Sequence, residues 1–344
     1  MPESRSNWAV GGNPTEERTA MISDRPPLEA PSIAVIEATR ELIRDLALRT
    51  PLVRLNLDDA PAEIWLKLEN LQPIGSFKIR GAGSAMRSAA ARELEDGVYT
   101  ASAGNMAQGV AWVARELGIP CSVVVPDRAP RAKLDAIERL GGRLIKVPFD
   151  EWWQVIVDHR YAGLDGRMIH PFGDQAVLAG NGTIGLEIIE DLPDCDAVVV
   201  PYGGGGLSCG IAAAVKGLRP GVEVYAAEVA TAAPLAAALE AGEPVPVEVT
   251  PSFVDGIGSA SVVDEIWPLA RSILDGSLVV GLDEVGEAIR LLVERNHVVA
   301  EGAGAVAVAA ALSGKAGGGR VVCIVSGGNI DADKLARILE GQAS

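Results

Sequence analysis

The sequence predicts an α/β protein of two domains, each an open, mostly parallel sheet flanked by helices. Three observations predict it. Short runs of β-branched and apolar residues alternate with segments of helical spacing; glycines cluster at the junctions between them; and 344 residues that are 48% hydrophobic supply enough apolar side chains for two cores.

Residues 1–30 are polar, rich in Pro, Gly, Ser, Asn and Glu and without a period, which predicts a disordered extension with Met21 as a candidate start. From Ser32 to Arg49, Val35, Ile36, Leu42, Ile43 and Leu46 recur at helical spacing until Thr50-Pro51 stops them. Ile64–Leu68 is strand-patterned, Pro73 and Gly75 break it, and Ser76 stands where it could cap a helix starting near Lys78. A regular alternation follows: helix Ala107–Leu117 closed by Gly118, strand Cys121–Val125, helix Arg131–Leu140 closed by Gly141-Gly142, strand Leu144–Val147, helix Glu151–Ala162 and short strand Met168–His170. A second run holds helix Thr183–Asp191, strand Ala197–Val200, a glycine loop, helix Leu207–Gly217 and strand Val222–Ala227. Asp283 is placed to cap a helix with Val285, Ala288, Ile289 and Leu292 on one face, and Val321–Val325 is the last strand. The order predicts a large domain from residues 31–95 and 169–344 and a small one from 96–168, with no regulatory domain after the last strand.

A formal net charge of −16 argues against nucleic acid or an anionic membrane as partner, because both require a basic face. Cys121, Cys195, Cys209 and Cys323 form no CxxC pair, which fits reduced thiols in the cytoplasm rather than a zinc site or a disulfide framework. The longest apolar run, Ala303 to Leu312, is too short for a membrane span, and the amino terminus lacks a signal-peptide core. Only His159, His170 and His297 are available for histidine chemistry, and His170-Pro171 reads as a strand end.

Lys78 and three junctions carry chemistry. Lys78 stands at a helix start, where the macrodipole disfavours its charged form and leaves a better nucleophile; an exposed lysine in a turn is the equally weighted local alternative. Gly203, Gly204, Gly205 and Gly206 lie between a buried strand and a helix, so backbone N–H groups can wrap an anion, a phosphate above all. Neither a Walker lysine nor a G-x-G-x-x-G register accompanies them. Ser102, Ala103, Gly104, Asn105 and Met106 form a second strand-to-helix junction, for which an ordinary N-cap is the better local reading, and Ser326-Gly327-Gly328-Asn329 ends the last strand. In open α/β sheets ligands collect beyond the carboxyl ends of strands, so the junctions would line one crevice.

Through Thr50-Pro51-Leu52, Ser76-Phe77-Lys78-Ile79-Arg80-Gly81-Ala82, Ser102-Ala103-Gly104-Asn105, His170-Pro171-Phe172, Gly182-Thr183-Ile184-Gly185, the four glycines and Ser326-Gly327-Gly328-Asn329, the chain resembles the fold-type-II pyridoxal-phosphate enzymes, specifically the threonine/serine dehydratase and serine racemase family. The resemblance implies a tryptophan synthase β-like fold, pyridoxal 5'-phosphate as cofactor, and β-elimination of L-threonine or L-serine to a 2-oxo acid and ammonia. It implies that Lys78 links covalently to the cofactor, Phe77 packs on its ring, Asn105 meets its phenolic oxygen, Gly203 to Gly206 hold its phosphate and Ser326 faces its pyridine nitrogen. The loop Ser102 to Met106 would receive the substrate carboxylate. A homodimer or homotetramer acting on a small amino acid is implied as well.

The chain also departs from that family's pattern. Ala103 replaces the serine that racemases carry, which argues against racemisation, and Met106 stands where a histidine is common, either altering the pocket wall or filling a core gap. Hence 3-hydroxyaspartate, a phenylserine or a hydroxylated compatible solute stand as alternative substrates. Glu228 could open a divalent-cation site, yet Ala232 and Pro234 follow where ligands are expected, and a solvated glutamate is the alternative. Glu301 aligns with a glutamate near the site in relatives, or serves as a helix-start carboxylate. Trp152 and Trp153 either border the entrance or pack. Lys78-Ile79-Arg80 in place of Lys-Asp-Arg ranks β-replacement low, and a cofactor-binding protein without turnover is a further alternative.

Overall fold

A computed structural model of the chain describes residues 25–342. Met21 and most of the expected extension lie outside these residues. Residues 25–29 are tied to the fold, with Leu28 N donating to Glu265 O at 2.8 Å and Glu29 N to Gln175 Oε1 at 3.2 Å.

Two sheets organise the molecule. The larger has strand order β1-β2-β10-β7-β8-β9, where β1 is Leu52–Arg54, β2 Glu63–Lys67, β7 Ala197–Pro201, β8 Glu223–Val229, β9 Gly276–Val280 and β10 Arg320–Ile324. Only β1 runs antiparallel to its neighbour. The smaller sheet, β5-β4-β3-β6, is parallel throughout, with β3 Val98–Ala101, β4 Cys121–Pro126, β5 Arg143–Val147 and β6 Arg167–Met168. Parallel strands must be buried on both faces, and the period-2 alternation shows it: Val199, Val321 and Cys323 join one core with Val306 and Ile289, while Val198, Val200 and Val322 join another with Ile184 and Ile211.

Helix α1, Ile33–Leu42, is shorter than its spacing suggests, because turns follow Leu42 and carry Ile43 and Leu46 into the core instead. Helices α2 (Lys78–Arg87) and α3 (Asn105–Leu117) share the third cluster, in which Ile79 and Met86 meet Val110 and Val123. The Lys78 helix therefore shares a core with α3 and the smaller sheet. Next come α4, Arg131–Arg139, and α5, Phe149–Asp158, which ends at left-handed His159 rather than at Ala162. Helix α6 runs from Gln175 to Asp191 under an Asp174 cap, eight residues earlier than the sequence pattern begins. Gly180 and Gly182 blur that pattern, and packing requires them: a Cβ at Gly180 would lie 2.4 Å from Arg80 O. Helix α7 is Gly206–Leu218, and the sequence pattern misses α8 (Pro234–Ala241), α9 (Trp267–Ile273), β1 and β9. Helix α10, Leu282–Leu291, is capped by Gly281 with Glu284 accepting from its N–H, so Asp283 lies in the first turn and is not the cap. The run Ala303 to Leu312 belongs to α11, Gly302–Leu312, buried on nearly every side and hence without an amphipathic period. Helix α12, Ala332–Leu339, closes the chain. Among the described residues no helix is long and apolar enough to cross a membrane, and all four cysteines are free and buried.

Candidate active site

Lys78 is the first residue of α2, and the polypeptide around it is pinned to the end of β10: Phe77 N donates to Ser326 O at 3.0 Å, Gly328 N to Gly75 O at 2.9 Å, and Ser76 bridges Gly327. Ser76 does not cap the helix. Its buried hydroxyl has no hydrogen-bond partner among the described residues. The Lys78 Nζ turns across the crevice and donates to Pro171 O at 2.8 Å, 5.2 Å from the Phe77 ring centroid. Burial pulls the amine down to about 8, against the opposing charge of Glu301. About a tenth of it is then free base at pH 7. Desolvation is the main cause.

Two residues on, Arg80 is only 2% exposed and spends all its donors. Nε and Nη2 reach Glu69 at 2.8 Å, Nη1 reaches Glu187 at 2.7 Å and Thr183 at 3.0 Å, and Nη2 also reaches Leu48 O at 2.9 Å. Lys67 Nζ joins at 2.6 Å from Glu187 Oε2, so two cations and two carboxylates balance inside the fold.

The four glycines lead from β7 into α7. Gly205 has φ +82°, a conformation that strains other residues, and a Cβ on Gly204 would meet the Phe172 ring at 2.3 Å. A Cβ on Gly203 would find ordinary contact with Ile257 at 3.5 Å, so neither sterics nor φ requires glycine there. The first N–H groups of α7 have no intrahelical acceptor and are left for an anion.

At the end of β3, Ser102 Oγ accepts from Gly104 N at 3.1 Å, and Gly104, not Ser102 or Asn105, occupies the cap position of α3. Asn105 Nδ2 donates to Glu301 Oε1 at 2.6 Å, and its Oδ1 accepts from Asn329 Nδ2 at 2.8 Å. Glu301 occupies the cap position of α11 without a side-chain cap bond; its carboxyl turns to Asn105 instead, and burial pushes it up to about 7. A cavity of ≈ 210 Å³ is lined by Gly104, Asn105, Glu301, Asn329, Lys133 and Asp255, among others. It does not include Lys78 or the glycine loop, which meet instead at Pro171-Phe172. Met106 is buried and packs with Ile79 and Val110, as a gap-filling residue does.

The family model described as pyridoxal-phosphate dependent enzyme matches residues 43–327. The chain belongs to the pyridoxal-phosphate dependent enzymes. It is 43% identical over 281 residues to the L-threonine ammonia-lyase of Thermotoga maritima, covering 80% of this chain and 70% of that one. Among solved structures it is similar to the processed form of threonine deaminase isoform 2 from Solanum lycopersicum, with TM-score 0.82, 32% identity and coverage of 93% of this chain and 91% of that one. Maize serine racemase gives TM-score 0.81 and 31% identity over 91% and 98%.

Pyridoxal phosphate is this family's cofactor, and the residues present fit it. A desolvated lysine amine with a single carbonyl acceptor can condense with an aldehyde; the glycine loop offers backbone donors at a helix start; Asn105 retains a second amide hydrogen beyond the one given to Glu301; and Ser326 is almost fully buried at the end of the last strand. Phe77, half-buried, adjoins the lysine. Glu228 is a different matter. It is fully buried rather than solvated, and its oxygens accept from Leu235 N, Ala236 N and Ser277 Oγ at 2.9, 2.8 and 2.6 Å, anchoring the start of α8. Trp152 and Trp153 pack with Tyr99 and Val155 beside Phe172, and both serve the core. Asp255 carried no signal in the sequence, whereas Asn329 belonged to the third junction but had no role of its own assigned there. Asp255 Oδ2 holds Lys133 of α4 at 3.2 Å and Lys334 of α12 at 3.1 Å across the cavity.

Proposed function

We propose that this enzyme is an ammonia-lyase that eliminates water from a β-hydroxy amino acid, L-threonine first and L-serine second, yielding a 2-oxo acid and ammonia. The single observation that carries the reading is the Lys78 amine, desolvated to a pKa of about 8 and held at Pro171 O opposite the glycine loop, in a chain 43% identical to a protein named L-threonine ammonia-lyase. When bound, pyridoxal phosphate supplies the electron sink that acidifies the substrate's α-proton. Lys78 takes that proton at Nζ, a task for which a base near neutrality is suited. Gly203, Gly204, Gly205 and Gly206 hold the phosphate with main-chain N–H groups, and Phe77 packs on the ring. Ser102, Ala103, Gly104, Asn105 and Met106 form the loop for the substrate carboxylate, with the Ser102 hydroxyl and backbone N–H groups as donors. Asn105 orients the phenolic oxygen. Ser326, a neutral hydroxyl, would face the pyridine nitrogen without offering it a charge-balancing carboxylate. Ala103 offers no proton to the opposite face, which disfavours racemisation. The same reading makes the protein a cytoplasmic homodimer or homotetramer whose 96–168 segment is a small domain facing the remainder across the site.

Release of 2-oxo acid and ammonia from L-threonine, L-serine, L-threo-3-hydroxyaspartate and L-threo-phenylserine tests it. L-Threonine is expected to lead in kcat/KM by about tenfold or more. Silence across the panel from protein that carries the cofactor would overturn the reading, and a thiol amino acid formed on adding sulfide would replace it with β-replacement.

A further inference from the structure

Three polar side chains, His170 and Glu265 buried and His159 partly so, have no part in the chemistry above. Two of the chain's three histidines, His159 and His170, stack with ring centroids 3.8 Å apart and an interplanar angle of 8°. His159 sits at φ 53° where it closes α5, and its Nε2 lies 3.3 Å from Glu265 Oε1. The trio has the composition of a metal site but not its geometry. An ion held by an imidazole lies in the plane of the ring, on a nitrogen lone pair, and two parallel planes share no point.

His170 has both nitrogens engaged already. Nε2 lies 3.2 Å from Ile156 O, which can only accept; Nδ1 lies 2.6 Å from the Gly173 N–H and 3.4 Å from the Phe172 N–H, which can only donate. The ring is therefore the neutral tautomer with its proton on Nε2, and burial together with the neighbouring His159 holds its pKa well below the usual range. The Phe172 N–H belongs to the same peptide unit as the Pro171 carbonyl. In a trans peptide the two point in opposite directions, so a hold on the N–H aims the oxygen the other way, where Lys78 Nζ donates to it at 2.8 Å. Phe172 meets the His170 ring edge-on at 4.7 Å, and its own ring closes over Gly204.

We propose that His170 is a positioning residue for Lys78: through the Pro171-Phe172 peptide it sets the carbonyl that holds the lysine amine, while the His159 ring braces the His170 ring by stacking. The inference rests on Lys78 as the covalent lysine and not on which amino acid is turned over. His170→Leu removes the acceptor for both N–H groups, whereas the side-chain oxygen in His170→Asn can replace Nδ1. The leucine variant is expected to lose about tenfold or more in kcat with KM within about threefold, and to form the covalent Lys78–cofactor bond about tenfold more slowly when reconstituted, with asparagine restoring both to within about threefold of wild type. That bond is an imine condensation releasing one water. It is followed by absorbance without substrate, so a failure here is distinguishable from a wrong substrate. Equal behaviour of the two variants, or wild-type reconstitution by His170→Leu, overturns the proposal. If the leucine variant does not fold, His159→Asn decides instead: asparagine tolerates the left-handed backbone there but removes the stacked ring, which is expected to lower kcat and the reconstitution rate about threefold each, and unchanged values overturn the proposal.

Discussion

Arg80 and Lys78 stand two residues apart on one helix, both withdrawn from bulk water, and they are wired in opposite ways. Arg80 spends its donors on Glu69, Glu187, Thr183 and Leu48 O, and the two carboxylates hold its charge more firmly than in water. Lys78 has one carbonyl, Pro171 O, and burial draws its pKa down to about 8. Saturated partners make a buried charge into an anchor, while an under-satisfied one remains available for reaction. The contrast also explains why Lys67, fully buried like Arg80, is structural: its Nζ is held by Thr50 O and Glu187 at 2.6 Å each.

The largest effect should come from the reactive member. Lys78→Ala is expected to lower turnover by about 10⁴-fold while leaving the urea midpoint near wild type; retention of more than about a tenth of the activity would break the contrast. Arg80→Leu should do the reverse. Leaving Glu69 and Glu187 short of a partner in the interior is expected to cost about 3–5 kcal/mol in urea unfolding, and a loss below about 1 kcal/mol would reduce Arg80 to an ordinary packing residue.

Glu301 lies between the extremes and sharpens the comparison. Its folded pKa is raised to about 7 from an ordinary value of 4.5, so between those values the folded state keeps a proton that the unfolded state releases. Stability is therefore fully supported below the lower value, falls as pH rises through the window, and levels off above the upper one. The total loss amounts to about 3 kcal/mol. Glu301→Gln keeps the acceptor for Asn105 but does not titrate, and urea unfolding across the window should show this slope removed. An unchanged slope would assign the dependence to other groups.

Features legible in the sequence share a short range. The strand preceding the four glycines and the start of a helix at Lys78 depend on neighbours within a few positions, and both stand where the pattern puts them. Signals failed where tertiary packing displaced local preference. Ser76 gave up its cap for a bridge to Gly327, Gly281 took the cap expected of Asp283, and glycines needed for close helix contact hid the first half of α6. The apolar run at α11 carried no period because it is buried nearly all round.

By itself, then, the sequence determined the parallel α/β architecture, the glycine loop between strand and helix and the lysine at a helix start, since periodicity and backbone freedom are written in adjacent residues. Only the tertiary structure decided which groups meet. Asn105 finds Glu301 196 positions away, His159 and His170 stack before Glu265, and Pro171 delivers its carbonyl to a lysine 93 residues earlier. Such pairings depend on how sheets and crossovers bring distant junctions to one rim, and the pKa values of Lys78 and Glu301 depend on the burial that follows.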